Sequence, residues 1–452
     1  MRQTKRHIPR PERRSLLGFA LIILLGAALL CLPCATRAGQ QTTALTALFT
    51  ATSATCVTGL VVVDTWQHWT LFGQLVILAL IQIGGLGFMS IAVIFAFLTR
   101  RQISMRERML LSASLNIDEL SGVIRLTKRV ALATFCFEGI GAALLAARFV
   151  PEFGVADGIY KGVFHSISAF CNAGFDLMGK RGAFSSLTGY ADDPVVCLTI
   201  STLIVVGGLG FFVWGEIAAR ITQGKRRRLA VDTRLVLVMT ALLLVIGTAG
   251  FYVCERENPA TLGSMDAPQQ LLAAVFQSVT YRTAGFNTVD LSAARDTTTL
   301  MSYVLMLVGG SPGSTAGGIK TTALAIIVLT MRATLTGKRD VNVFRRRIPW
   351  MLVRSAVTLF CLGCSISLLS AFVLMAADGL PLNGALFETI SAFATVGLTM
   401  GYTSSLSTVS RLCLIAEMYI GRVGILTLGL GILTRRVAEP DCQYPDANIR
   451  IG

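Results

Sequence analysis

The sequence predicts an all-α integral membrane protein built from four copies of one unit: helix, half-helix, loop, helix. Three observations carry this. The 452-residue chain is 53% hydrophobic and 14% charged, with mean hydropathy +0.67, whereas a soluble domain is about 25% charged. Residues 16–33, 71–98, 235–254 and 357–377 carry no charge over 18, 28, 20 and 21 positions, and about 20 apolar residues cross a bilayer core. Finally, one short loop recurs four times. Ser391-Ala392-Phe393-Ala394-Thr395-Val396-Gly397-Leu398 has relatives ending at Gly59, Gly174 and Gly285.

Taken in order, the arm 1–14 is basic, contains Pro9 and Pro11, and is expected to be disordered or to lie on the anionic inner leaflet. The first unit, 15–105, runs outward over 16–33. A Thr- and Ser-rich half-helix follows over 42–55, then the loop Cys56, Val57, Thr58, Gly59, and 71–98 returns. Unit 2, 106–222, repeats this with 130–150, 159–170, the loop Cys171, Asn172, Ala173, Gly174, and 195–219. Unit 3, 223–336, uses 235–254, 271–281, the loop Arg282, Thr283, Ala284, Gly285, and 301–331. Unit 4, 337–437, uses 357–377, 385–393, the loop Ala394, Thr395, Val396, Gly397, and 412–434. The tail is 438–452. Eight transmembrane helices and four re-entrant loops account for nearly the whole chain.

The second helices carry an independent mark. Gly84-Gly85, Gly207-Gly208, Gly309-Gly310 and Gly421-Arg422 align, at 25, 33, 24 and 24 residues beyond their loop glycines. An insertion over 179–194 explains the long interval. Close helix packing alone would need small residues, but not a fixed distance to the loops. With two spans per unit, all four units enter in the same orientation, which suits an axis along the membrane normal.

The net charge of +15 does not indicate a nucleic-acid surface. Twenty-nine of the 40 Lys and Arg fall in 2–14, 99–129, 220–234, 332–354 and 435–450, at alternate turns between apolar spans. That is the positive-inside pattern, with both termini cytoplasmic. The stretch 16–33 is long for a signal h-region and reads as the first span. The 11 cysteines form no framework. The pairs Cys31/Cys34 and Cys361/Cys364 have redox spacing but sit in or beside apolar helices, where packing is the better reading.

Irregular backbone at membrane depth survives only where protein buries it or it lines an aqueous cavity. Four loops, each at the C-terminus of a half-helix, meet that condition around an axial pore. Helix C-termini carry about half a negative charge each, and loop carbonyls can replace a cation's hydration shell. Gly59, Gly174, Gly285 and Gly397 allow the backbone to aim them. Neutral carbonyls suit a monovalent cation better than Ca²⁺ or Mg²⁺.

These loops, the fourfold repeat within one chain and the eight spans resemble the membrane subunits of the Trk/Ktr/HKT potassium transporter superfamily, the KtrB-like branch in particular. The resemblance covers the chain beyond the basic arm. It implies a pseudo-fourfold arrangement of M1-P-M2 units and potassium uptake across a bacterial inner membrane. It also implies K⁺ as the transported ion, Na⁺ as a candidate activator, and no covalently bound cofactor. A Ser at the first loop glycine accompanies sodium transport in the plant relatives, and this chain has Gly59. Implied partners are a second copy of the chain and a cytosolic RCK-type nucleotide-binding subunit docking on basic loops such as 225–228 and 338–347. The sequence departs from the pattern in having no Thr-Val-Gly-Tyr-Gly, in placing Arg282 in the third loop, and in making that unit one residue shorter between Phe276 and Gly285.

The centre of 301–331 is Gly309, Gly310, Ser311, Pro312, Gly313, Ser314, Thr315, Ala316, Gly317, Gly318, Ile319 and Lys320. Glycine and proline break helices, so an irregular intramembrane segment is expected. Its Gly-Gly-Ile-Lys-Thr-Thr end is phosphate-loop-like but follows no strand. The resemblance implies a gate beneath the filter for 309–318. Lys320 either faces the pore or turns inward. Arg422 replaces a glycine of the other units in mid-span, where a lone charge is costly and functional by default. It is expected to oppose cation passage, to pin the gate loop, or both. Arg282 is expected to turn away from the axis toward a carboxylate or helix end.

Glu138 and Glu417 are intramembrane acids, candidates to pair with Arg422, Arg282 or loop atoms. Asp64 and Asp290, each five residues beyond a loop glycine, either attract cations or cap turns. The alternative reading is a sodium- or proton-coupled secondary cation transporter, for which those two glutamates are thin support. An enzyme is disfavoured because His7, His68 and His165 form no cluster and no nucleophile sits beside a base.

Overall fold

The structure, a computed structural model, describes residues 11–87, 123–223 and 229–425. The basic arm before residue 11, the turn 225–228, the tail 438–452 and parts of the expected spans 71–98 and 412–434 lie outside the described residues. The described chain is almost wholly helical. Unit 1 contributes Pro11–Leu30, Ala44–Cys56 and Leu71–Leu86; unit 2 contributes Val123–Phe153, Val155–Phe170, Pro194–Leu209 and Phe211–Gln223. In unit 3 the helices are Val231–Glu255, Ala267–Thr280, Asp296–Leu307 and Thr321–Leu335, and in unit 4 Trp350–Asp378, Leu382–Phe393 and Thr408–Val423.

Among the described residues three helices are long and apolar enough to cross a membrane: Thr127–Phe153, Val231–Glu255 and Trp350–Asp378. Their apolar windows are only 33%, 28% and 28% buried. Leu132, Val245, Leu369 and Phe372 stand exposed on them, which suits a lipid-facing rim. The half-helices are the opposite. Ser53, Thr55, Ser168, Thr280, Ser391 and Thr395 are fully buried, so the interior near the ring is polar and the outside apolar. That inversion of a soluble fold is what a bilayer solvent selects. The chain is a multi-pass membrane protein.

The expected spans 195–219 and 301–331 are not continuous helices. Pro194–Leu209 and Phe211–Thr222 meet at 97°. Gly210 between them has φ +95°, a left-handed turn that glycine makes without a Cβ clash. The break is fixed by the third unit, because Phe211 N donates to Gly313 O at 2.8 Å. In unit 3 the helix stops at Leu307 and resumes at Thr321, as its Gly/Pro content predicts.

Several helix starts are capped by side chains. Asp193 accepts from Val195 N and Val196 N ahead of Pro194, and Asp266 and Gln269 form a reciprocal capping box. Such caps contribute about 1 kcal/mol each. Sequence reasoning missed a small hairpin between units 3 and 4, pairing Asn342 with Arg347 and Val343 with Arg346. Its turn residues Phe344 and Arg345 both have positive φ, +46° and +64°, without the Asn-Gly signal that marks such turns.

Candidate ion-binding ring and the loop beneath it

Each half-helix ends in the same way. The residue two before the loop glycine is left-handed: Val57, Asn172, Thr283 and Thr395 have φ +58°, +60°, +66° and +53°. The glycines follow at +98°, +70°, +79° and +89° for Gly59, Gly174, Gly285 and Gly397. A non-glycine residue held there costs about 1–2 kcal/mol, and its recurrence in four loops marks one shared geometry. Thr58 N to Ser53 O (2.8 Å), Ala173 N to Ser168 O (2.7 Å) and Val396 N to Ser391 O (2.8 Å) close five-residue turns. Unit 3 closes a four-residue turn, Ala284 N to Thr280 O at 3.0 Å. The missing residue between Phe276 and Gly285 is absorbed there.

The four glycines meet in a closed ring. A Cβ on Gly59 would stand 2.6 Å from Ala173 O; on Gly174, 2.8 Å from Ala284 O; on Gly285, 2.8 Å from Val396 O; on Gly397, 2.0 Å from Thr58 O. Each glycine is thus wedged against the carbonyl that precedes the next loop's glycine, and a side chain at any of the four would strike backbone. Hydroxyls support the ring from behind. Ser53 Oγ and Ser391 Oγ accept from Gly59 N and Gly397 N at 3.1 Å each. Ser168 Oγ donates to Phe175 O at 2.7 Å, and Thr280 Oγ1 donates to Phe286 O. Sequence reasoning did not single out these hydroxyls, although three are serines six residues before the loop glycine in a polar stretch of an apolar chain.

The second-helix glycines explain the fixed spacing. A Cβ at Gly84, Gly207 or Gly421 would lie 2.0, 2.0 or 1.8 Å from the O of Thr55, Phe170 or Phe393. Each of those carbonyls is four residues before its loop glycine, at the end of its half-helix. In unit 3, Gly309 instead abuts Gly317 O at 2.1 Å, because the broken segment folds back on itself.

That segment crosses from unit 2 toward unit 4 beneath the ring. Ser311 N donates to Gly208 O at 2.9 Å, Thr315 N to Gly207 O at 3.3 Å, and Thr315 Oγ1 to Phe170 O at 3.3 Å. A Cβ at Gly317 would meet Thr395 Oγ1 at 2.2 Å, and one at Gly318 would meet Ala394 O at 3.2 Å. Lys320 Nζ turns back onto Ala316 O at 2.7 Å, so its charge is spent within the segment. Ser311 Oγ and Thr321 Oγ1 lie 3.1 Å apart across it. The remaining segment residues Gly310, Pro312, Gly313 and Ser314 lie against Gly208, Gly210 and Phe212 or against each other.

Arg422 joins three units. Its Nη1 donates to Thr315 O and its Nη2 to Gly84 O, with Gly85 O at 3.4 Å. Among the described residues it forms no ion pair. Glu138 instead accepts from Gln82 Nε2 at 3.0 and 3.3 Å, with Cys171 Sγ at 3.9 Å. Glu417 is buried and pairs with no cation among the described residues. Arg282 is 7% exposed, its Nε is unpartnered, and it makes no ion pair among the described residues. Among the described residues neither glutamate pairs with Arg422 or Arg282; of the expected partners, Glu138 meets a loop residue, Cys171. Asp64 and Asp290 act as caps: Asp64 accepts from Gln67 N at 2.8 Å, and Asp290 from Ser292 N at 2.9 Å.

The chain is similar to known proteins along nearly its whole length. A family model described as TrkH, cation transport protein, matches residues 25–443. The potassium/sodium uptake protein NtpJ of Enterococcus hirae is 40% identical over 440 residues, covering 96% of each chain. The Ktr system potassium uptake protein B of Bacillus subtilis is 39% identical over 98% of this chain and 97% of its own. The protein of that name from Vibrio alginolyticus is 40% identical over 97% and 94%. Among solved structures, the potassium transporter TrkH of Vibrio parahaemolyticus superposes with TM-score 0.74 at 17% identity, over 96% of this chain and 87% of that one; at that identity the match speaks for the fold. The chain belongs to the TrkH family of cation transport proteins.

Proposed function

We propose that the protein carries out potassium uptake across the bacterial inner membrane, through a pore selected by the ring of Thr58, Ala173, Ala284 and Val396 carbonyls. The observation that carries this is the closed ring itself: four glycines, each against the carbonyl before the next. It leaves only backbone oxygen and no charged side chain at the contacts. Half-helix C-termini add their negative dipole ends to the same place. Relatives named for potassium uptake along nearly the whole chain support the choice of ion, and the name potassium/sodium uptake protein keeps Na⁺ in view as cargo or activator. The residues at Cys56, Cys171, Arg282 and Ala394 form the inner end of the loops.

Residues 309–318 act as the gate. Their hydrogen bonds to unit 2 and their contact with Thr395 favour a closed state beneath the ring, and Arg422 latches it. The four M1-P-M2 units share one pore in a pseudo-fourfold arrangement. The termini are cytoplasmic, and the chain works as a homodimer with an RCK-type regulatory subunit, a reading drawn from the basic inner turns and the Ktr system relatives. Expression should restore growth at limiting potassium to a bacterium lacking its uptake systems. Gly59→Ser should lose that rescue or its preference over sodium, since a Cβ there stands 2.6 Å from Ala173 O. Full rescue with unchanged preference would count against the filter.

A further inference from the structure

The insertion 179–194 is not absorbed by the reading above, and it is the largest departure of one unit from the others. Its connections are to the strands that leave the ring. In each unit the half-helix places one residue after a shared phenylalanine: Thr50, His165, Gln277 and Glu388, following Phe49, Phe164, Phe276 and Phe387. In units 2 and 4 that residue holds its own exit strand. His165 Nε2 accepts from Leu177 N at 3.3 Å. Glu388 accepts from Thr399 Oγ1 at 2.5 Å and Met400 N at 3.2 Å with Oε1, and from Thr403 Oγ1 at 2.5 Å with Oε2. In units 1 and 3 it does not: among the described residues neither Thr50 Oγ1 nor the Gln277 amide hydrogen-bonds its exit strand.

The insertion reaches those two units. Toward unit 1, Gln67 Nε2 donates to Gly179 O at 2.8 Å and Phe184 N donates to Asp64 Oδ2 at 2.9 Å. Gly179 is pressed on the same carboxylate, where a Cβ would stand 2.2 Å from Oδ1. Toward unit 3, both backbone groups of Asn287, two residues past Gly285, are taken: Leu187 N donates to Asn287 O at 3.0 Å, and Asn287 N donates to Ser186 Oγ at 3.2 Å. Phe184 and Ser186 have φ +56° and +45°, strained turns that bring the chain round between the two contacts. The base is tied to its own unit, with Arg181 Nε to Glu152 Oε1 at 3.0 Å and Tyr190 OH to Glu152 Oε2 at 2.9 Å.

We infer that residues 179–194 are an outer brace that positions the exit strands of units 1 and 3, replacing the clamp that His165 and Glu388 supply in units 2 and 4. Ser186 and Asp64 are therefore positioning residues for ion discrimination. This rests on the filter reading. The test is the ratio of K⁺ to Na⁺ uptake in proteoliposomes of the full-length protein. Ser186→Ala should lower the ratio by about fivefold, the scale of one lost hydrogen bond, and Asp64→Ala by more, because it loses the bonds from both Gln67 N and Phe184 N. Asp64→Asn keeps one acceptor oxygen but sets its amide NH2 against either Gln67 N or Phe184 N, so it should lower the ratio by less than Asp64→Ala does. Gly285→Ala, in the ring itself, is the reference. If it changes the ratio and the brace variants do not, the brace is overturned and the filter stands. If Gly285→Ala also leaves the ratio unchanged, both fall.

Discussion

Replacing Arg422 by glutamine removes a side chain that ties the loop beneath the ring to units 1 and 4. Arg422 donates to Thr315 O in the loop and to Gly84 O in unit 1. A hydrogen bond from a charged group contributes about 1.5–3 kcal/mol. Only the Thr315 bond holds the loop directly; the Gly84 bond anchors the guanidinium. Loss of that one bond should shift the closed-to-open ratio by about 10- to 150-fold. The assay is Rb⁺ or K⁺ influx into proteoliposomes down a gradient, normalised to folded protein by size-exclusion profile. Influx should rise in Arg422→Gln. Arg422→Lys separates two causes: it keeps the charge but cannot fork between two carbonyls. A latch predicts that the lysine variant leaks nearly as much as glutamine, whereas a purely electrostatic barrier predicts wild-type influx. Unchanged or lower influx in well-folded Arg422→Gln protein would refute the latch and the barrier together.

Adjacent glycines should differ sharply. A Cβ at Gly207 would stand 2.0 Å from Phe170 O, while the nearest atom to one at Gly208 is Asn172 Nδ2 at 3.6 Å. Gly207→Ala should lower thermal stability by at least about 1–3 kcal/mol, and Gly208→Ala should stay within about 1 kcal/mol of wild type; equal effects would contradict the packing. At the proposed mouth of the pore, two residues past Gly174, burial raises the carboxyl of half-buried Asp176 from 3.8 to about 6, opposed by its bond from Met178 N; nearby Asp64 raises it further and Lys161 lowers it. A raised acid pKa means the charged form is disfavoured in the fold, so its destabilising effect grows from pH about 4 to about 6 and is constant above. Below pH about 6 the mouth loses a negative charge, so the KM for K⁺ should rise as pH falls through that value. Asp176→Asn should flatten this profile, and a retained pH dependence would exclude Asp176.

The loops and their glycines were legible in the sequence because their geometry admits little else. A ring in which every Cβ would strike a carbonyl must repeat glycine, and a glycine packed on a half-helix end must lie at a set distance from the loop. The long first helices were legible because lipid demands unbroken apolar residues. What was illegible depends on tertiary partners. The 97° bend at Gly210 follows from Phe211 bonding a carbonyl of another unit, which hydropathy cannot register. Asp64 and Asp290 could have been cation attractors by composition; their backbone surroundings make them caps. Arg422 was visible as an anomaly, but its partners are carbonyls from two other units, and no spacing rule points to them. The same holds for the insertion, whose Gly, Asp and Ser content signals only a loop.

The central claim is that the four carbonyls beside the ring glycines hold a dehydrated potassium ion. Rubidium, a potassium substitute with usable anomalous scattering, tests it most directly in crystals of the full-length protein. The account predicts an anomalous peak on the axis, bounded by the oxygens of Thr58, Ala173, Ala284 and Val396, which weakens when Na⁺ replaces Rb⁺ and is lost in Gly59→Ser. An axis without a peak at saturating rubidium, or a peak seated instead at Glu138 or Glu417, would contradict it.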